Sequence, residues 1–433
     1  MKQCAHSLIR GLELKYETVK AKTLLSKFHS ADSWFHVNRS LNAYRGCEHG
    51  CVYCDAMSES YYVDDFTSHI RIKDNADEVL RKELKKAGFL SQTELETETL
   101  YPFLSDEDAA RLAAGGPRKQ VIGVCGGVSD GYQPAERKHK VTRRILETLL
   151  DYRMPVMVLT KSDLVLRDLD LLKEINEVAL VNVMFTITLA NDETRQIFEP
   201  RAASTEERFD ALKEVRKAGL FGGVMAIPTI PIIGDSLENM TELAKRAKKN
   251  RAEFIQFGGM TLKPGRQKEH FLRAIERHFP QHLNRIRKMY SNNDRYGNPV
   301  WQLLPCNVML RGLRVCQEVG IRDRSVRHRL PGEFEENNRV LQVLLDIAFY
   351  LEFMLGRSWA EVKPYKELAT RVEQGMPSLK ELSENGQLEQ YFNTDKRLLA
   401  VVEEVLARGT CSKLERLVEE ADHMTGTGTF NRF

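Results

Sequence analysis

Between residues 120 and 258, short apolar runs rich in β-branched residues alternate with amphipathic stretches at helical spacing. That alternation limits the chain to few architectures. The runs Gln120–Cys125, Pro155–Thr160, Leu180–Thr186, Gly222–Pro228 and Glu253–Gly258 read as strands; Glu136–Asp151, Leu169–Val178, Thr205–Ala218 and Leu237–Lys249 read as helices. Strands joined through helices form βαβ units and a parallel sheet. Local signals agree. Ser204 and Glu207 are spaced as a capping box, and Gly219 stands where a helix C-terminus favours glycine. With a further strand near Trp34–Leu41, the count is six βα units. The expected fold is therefore α/β, a partial (βα)6 TIM-like barrel short of the eight units of a closed one, with its chemistry at the C-terminal strand ends.

Outside that rhythm the chain divides further. Residues 1–35 read as an N-terminal extension and 36–270 as the barrel, with a polar, acidic insertion at 91–117. A basic connecting region follows at 271–335, where strand signals have stopped. Residues 336–423 read as a C-terminal α-helical subdomain, on the apolar helical spacing of Val340–Leu355 and the amphipathic Asp395–Ala407 and Cys411–Asp422; 424–433 read as a disordered tail. No run of 18 apolar residues exists, so no membrane partner is expected. The first residues lack the apolar core of a signal peptide, and eight cysteines in 433 residues are too few for a disulfide scaffold. A reducing, cytoplasmic setting is the expectation.

Three of those cysteines stand together in Asn42-Ala43-Tyr44-Arg45-Gly46-Cys47-Glu48-His49-Gly50-Cys51-Val52-Tyr53-Cys54. The C-x3-C-x2-C spacing suits three corners of a cubane iron–sulfur cluster, leaving one iron open for chemistry. A structural zinc site needs four closed ligands. His49 sits two residues from both Cys47 and Cys51, an awkward fourth, and no second C-x2-C pair exists. A ferredoxin-type run needs a further Cys-Pro, which is absent. Cys306, Cys316 and Cys411 are the remaining candidates for an auxiliary cluster.

The motif, with aromatic Tyr53 before its third cysteine, resembles the radical S-adenosylmethionine (SAM) superfamily. Five segments narrow the resemblance to its spore photoproduct lyase-like (DNA repair photolyase-like) branch: Asn42–Cys51, Val128–Glu136, Leu159–Asp163, Phe198–Arg201 and Ala226–Pro231. The resemblance implies a [4Fe-4S] cluster on Cys47, Cys51 and Cys54, whose open iron binds the methionine part of SAM. One electron, from a flavodoxin- or ferredoxin-type reductant, then yields a 5′-deoxyadenosyl radical that takes a hydrogen from the substrate. It further implies that Ser129 and Asp130 meet the methionine moiety, Lys161 its carboxylate and Thr186 the ribose. Pro228, within Ile227–Pro231, would flank the adenine, and Tyr53 and Glu199 complete the cofactor set. Plainer roles stand beside these: Thr186 as a packed β-former, Glu199 as a structural bridge to Arg201 or Arg208.

Departures from the lyase are as telling. Its hydrogen-donating cysteine falls here on Gly127, and the nearest thiol, Cys125, lies about 6–7 Å deeper on the same strand face. The tyrosine that follows its third cluster cysteine is here Asp55. Repair of the spore photoproduct itself is therefore not expected. Tyr61 and Tyr62 are redox or stacking candidates, or plain surface tyrosines. The substrate class is suggested by charge. Lys245–Arg329 carries 20 Lys and Arg against 6 Asp and Glu, a net of +14, whereas the rest of the chain is at −11. Such a block fits DNA or RNA, or else a solvated helical face. The alternatives in function are radical modification of a peptide or protein, and a non-catalytic iron–sulfur module that binds nucleic acid.

Overall fold

The computed structural model describes residues 14–97, 118–124, 128–330, 332–391 and 395–426. Cys125, most of the 91–117 insertion, the first 13 residues and the end of the tail lie outside that set. Ten strands are described: β1 (Lys15–Val19), β2 (Ser26–Lys27), β3 (Arg39–Leu41), β4 (Tyr44–Arg45), β5 (His69–Lys73), β6 (Ile122–Val124), β7 (Val156–Thr160), β8 (Val181–Thr186), β9 (Phe221–Ala226) and β10 (Ile255–Phe257). Seven of them form one sheet in the order β10-β9-β8-β7-β6-β3-β2. All neighbours from β3 to β10 pair in parallel, and only the short edge strand β2 is antiparallel. These six parallel strands and their crossover helices are the expected partial barrel.

Alternation sorts each strand into two faces. Val156 and Val158 of β7, Val181, Val183 and Phe185 of β8, and Ile255 and Phe257 of β10 pack in the main core with the helices. Met157, Met184, Met225 and Phe254 form a separate cluster with Val37 on the barrel's inner face. Helices fall where their periodicity puts them: Leu169–Val178, Thr205–Lys217 and Leu237–Lys249. The capping box at Ser204 and Glu207 is formed, and Gly219 has φ +81°. The stretch read as one helix from Glu136 is two, broken at Lys140 with φ 50°. A second, three-stranded sheet, β1-β5-β4, has no counterpart in the sequence reading.

Among the described residues no strand follows β10. Helix Val308–Val319 covers β10, where a Cβ on Gly312 would lie 2.8 Å from the Phe257 ring. Helices Glu335–Phe349, Trp359–Glu373, Lys396–Arg408 and Ser412–Gly426 share a second core. Trp34, just before β3, inserts between the two bodies. Its ring lies 5.3 Å from that of Phe349 and 4.9 Å from that of Phe353. On its other side stands Gly258, just after β10, whose Cβ would lie 3.3 Å from Trp34 Cη2. No helix is long and apolar enough to cross a membrane among the described residues.

Candidate active site

The cysteines occupy a loop that leaves β4 and is tied down at nearly every residue. Gly46 has φ +90°, and a Cβ there would come within 2.7 Å of the His69 carbonyl oxygen, so this entry turn requires glycine. The Cys47 amide donates to the Phe66 carbonyl at 2.9 Å, and Val52 N–H to the Phe198 carbonyl at 2.9 Å. Cys47 and Cys51 are buried, Cys54 partly so, and none is in a disulfide.

The side chains between the cysteines face the segments that carry the family resemblance. The buried Glu48 carboxylate accepts from the Ala135 N–H at 2.6 Å and from the Tyr16 hydroxyl at 2.8 Å. Gln133 accepts from the Glu48 N–H at 2.9 Å and donates to the Gly46 carbonyl at 3.2 Å. His49 Nε2 lies 3.2 Å from Asp130 Oδ2. The Arg201 guanidinium donates to the Glu48 carbonyl and, at 2.9 Å, to the Thr67 carbonyl. Val128–Glu136 and Phe198–Arg201 thus serve as braces around the loop. The sequence marked them as motifs, but not what they hold.

Each expected site residue has a definite place. Ser129 is buried, and its hydroxyl donates to the Tyr44 carbonyl at 3.0 Å. Asp130 accepts from the Thr160 hydroxyl at 2.8 Å, the Lys161 N–H at 2.8 Å and the Tyr132 N–H at 2.9 Å. Burial favours its neutral form, yet His49 and these backbone donors hold its carboxyl down at about 2. Glu199 is fully buried; it accepts from the Tyr53 hydroxyl, from Arg208, and from the Thr188 hydroxyl at 3.1 Å. Of the two bridges open to Glu199 in the sequence, the Arg208 one is formed. Burial and the nearby Glu199 push the Tyr53 phenol well above its usual range.

Lys161 stands one residue past β7. Its ammonium lies 5.9 Å from the Tyr53 ring centroid and makes no hydrogen bond among the described residues. Burial works against its charge, but Cys51, Glu199 and Asp130 outweigh that and raise its pKa. Thr186 ends β8 with its carbonyl held by Arg208 at 2.6 Å, and its hydroxyl makes no hydrogen bond among the described residues. Pro228, half-buried just beyond β9, lies between inner-face Ile227 and buried Thr229.

The donor set suits a cluster better than a single ion. Among the described residues no three His, Cys, Asp or Glu converge on one metal position. A cubane spaces its corners apart, so thiols need not converge. Burial raises all three thiols, Cys51 to about 12, with Lys161 pulling Cys51 back; bound iron removes such protons outright. Cys306 and Cys316 sit in the main core and Cys411 in the helical core, so an auxiliary cluster is not assembled from them.

Two further groups border the mouth. Asp55, next to Cys54, accepts from the Tyr61 hydroxyl at 2.6 Å and from Lys263 at 2.8 Å. The Leu262 N–H donates to the Gly297 carbonyl at 2.8 Å, seating the 291–304 segment alongside. That segment exposes Tyr296 and Trp301, and Arg285, Arg287 and Lys288 are exposed nearby with no ion-pair partner among the described residues. The basic block is not uniform, however. Arg324 and Arg327 are buried in ion pairs with Asp323 and Glu333, so part of its charge is structural.

Comparison with known proteins finds partial matches. An uncharacterized protein of Mycobacterium tuberculosis (strain ATCC 25618 / H37Rv) is 26% identical over 282 residues, covering 64% of this chain and 74% of its own. One of Methanocaldococcus jannaschii is 29% identical over 244 residues, covering 56% of this chain and 76% of its own. Among solved structures, spore photoproduct lyase complexed with dinucleoside spore photoproduct is similar at TM-score 0.40 and 18% identity. That match covers 61% of this chain and 66% of the lyase chain, just under two thirds of the lyase's length. The cobalamin-dependent SAM radical enzyme OxsB with aqua-cobalamin bound is similar at TM-score 0.34 and 11% identity, over 90% of this chain and 55% of its own. The model of the radical SAM superfamily, whose enzymes use a [4Fe-4S] cluster and SAM, matches residues 41–244 of this chain.

Proposed function

We propose that this enzyme holds a [4Fe-4S] cluster on Cys47, Cys51 and Cys54, binds SAM across the barrel mouth, and abstracts hydrogen from a nucleic-acid substrate. The observation that carries the reading is a largely buried loop of three thiols facing a half-buried Lys161 whose ammonium makes no hydrogen bond among the described residues. When bound, the cluster supplies the electron that cleaves SAM to methionine and a 5′-deoxyadenosyl radical. The chain's residues do the positioning. Lys161 offers its charge to the SAM carboxylate, and Thr186 its hydroxyl to the ribose. Ser129 and Asp130 shape the methionine end chiefly by fixing the backbone of the cysteine loop. Glu199 acts through Tyr53, and Pro228 walls the adenine side. The core packed around Cys51, Val52 and Tyr53, which includes Phe198, Ile230 and Phe271, excludes water from one side of the loop.

The Lys245–Arg329 block, with exposed Tyr296 and Trp301, supports nucleic acid as substrate. Asp55 in place of a tyrosine argues against photoproduct repair, and Cys125 stays the candidate hydrogen donor on sequence alone. A peptide substrate is the second reading, because exposed aromatics also suit protein partners. Anaerobic reconstitution with iron and sulfide, followed by dithionite and SAM, should release 5′-deoxyadenosine, and Cys47→Ala should abolish it. Cluster absorbance without any 5′-deoxyadenosine would refute the enzyme reading; release surviving in Cys47→Ala would refute the ligand assignment.

A further inference from the structure

The barrel's inner face changes character near its mouth. Met157, Met184 and Phe254 fill the lower interior. The next level adds polar groups on either side of Met225. Thr186 pairs with Met225, and Met225 with Gln256, so these three stand abreast on adjacent strands and face the same way. Gln256 lies between Phe254, packed in the interior cluster, and Gly258, which adjoins Ile227 and Trp34. It is 1% exposed, and neither its Oε1 nor its Nε2 has a hydrogen-bond partner among the described residues. Lys161 and Thr186, its polar companions at the mouth, also make no side-chain hydrogen bond among the described residues.

An unpaired buried amide costs roughly 1–3 kcal/mol, and Gln256 offers two unused groups, an acceptor and a donor side by side. It stands on β10, the last parallel strand, one strand beyond β9 and Pro228, at the edge of the proposed cofactor site. We infer that Gln256 is a recognition residue for a substrate nucleobase, pairing its amide with a neighbouring donor and acceptor on the base edge. The ligand class follows from the geometry: a planar edge with donor and acceptor adjacent satisfies both amide atoms at once. The exposed basic and aromatic segment at the mouth favours a nucleobase over a peptide amide. This inference rests on the nucleic-acid reading above.

The test uses the reconstituted full chain with S-adenosylhomocysteine present and single-stranded oligo-dT, oligo-dC and oligo-dA as probes. Gln256→Met keeps the volume and removes the hydrogen bonds; Gln256→Leu is a second apolar variant. Wild type should prefer one base, and both variants should lose that preference, weakening the favoured oligonucleotide about ten-fold while leaving the others unchanged. The variants should also match or exceed the wild-type melting temperature without ligand, because an orphaned amide is removed. A lowered melting temperature in both variants would assign Gln256 to the fold and overturn the inference. A base preference that survives both substitutions overturns it while leaving the nucleic-acid reading intact. Failure of wild type to bind any oligonucleotide overturns both, and binding of a glutamine-containing peptide through Gln256 instead would make the ligand a peptide amide.

Discussion

Replacing Arg208 by methionine isolates what holds the Tyr53 side of the site. Arg208 and Glu199 side chains are both 0% exposed. Arg208 donates to Glu199, to the Thr186 carbonyl at 2.6 Å and to the Ala203 carbonyl at 2.9 Å, while Glu199 also receives the Tyr53 hydroxyl. The carboxylate's ionisation depends on its surroundings: burial opposes it, and Arg208 and Lys161 overcome that, lowering its pKa. Removing one partner of a buried pair leaves an uncompensated charge, at a cost of about 3–5 kcal/mol. At roughly 2–4 °C per kcal/mol, the apo protein should melt on the order of 10 °C lower by calorimetry. Arg208→Met with Glu199→Gln should recover more than half of that loss, since neutral Gln needs no counter-charge and retains groups for Tyr53 and Thr188. The reasoning fails if Arg208→Met costs less than about 1 kcal/mol, well under the buried-pair range. It also fails if the double variant melts no higher than the single one, because the loss would then belong to the carbonyl contacts of Arg208.

Two other perturbations separate binding from folding. Lys161→Met should weaken SAM binding on the order of 10–100-fold, the worth of a charge-assisted hydrogen bond, with little change in melting temperature; equal affinity in equilibrium dialysis would remove Lys161 from the cofactor site. Burial holds His36 at about 3, against an ordinary 6.5, so the unfolded chain takes up its proton first as pH falls. The stability tied to a neutral His36 is therefore complete above pH 6.5 and lost progressively toward pH 3. Between pH 7 and 4.5 the loss should be about 2.5 kcal/mol, and denaturant titrations of His36→Phe should show that much less pH dependence than wild type.

What was legible in the sequence follows from locality. Leu169–Val178 and Leu237–Lys249 carry their apolar stripe and end signals within a dozen residues, and they fold as written. Strands β7, β8 and β9 are short and buried on nearly all positions of both faces, so they stand out as largely apolar runs. The second sheet does not: Lys15–Val19 is almost wholly exposed, and β4 is two residues long, so neither has a pattern to read. Lys140 breaks a helix without the glycine that usually announces a left-handed residue. The three cysteines were evident from spacing, but their braces were not, because Arg201 reaches Glu48 across 153 positions. Gln256 was within reach, since period-two alternation from Phe254 puts it inward. The basic block was overstated because counting charges says nothing of burial, and Arg324 and Arg327 lie inside.

Trp34 gives the C-terminal helices a part in the barrel. Six strands make an incomplete ring, and its first and last members cannot pair with each other. The indole that stands against Gly258 is gripped on its other side by Phe349 and Phe353, and Ala31 N–H is tied to the Thr370 hydroxyl at 2.9 Å. The open edge of the barrel at Gly258 is thus lined by a side chain whose position is set by a different body. Displacing the Glu335–Phe349 helix would remove the Phe349 contact that holds Trp34 against Gly258, two residues from Gln256. The last parallel strand of the barrel is therefore positioned in part by the C-terminal helices, through the aromatic grip on a single tryptophan.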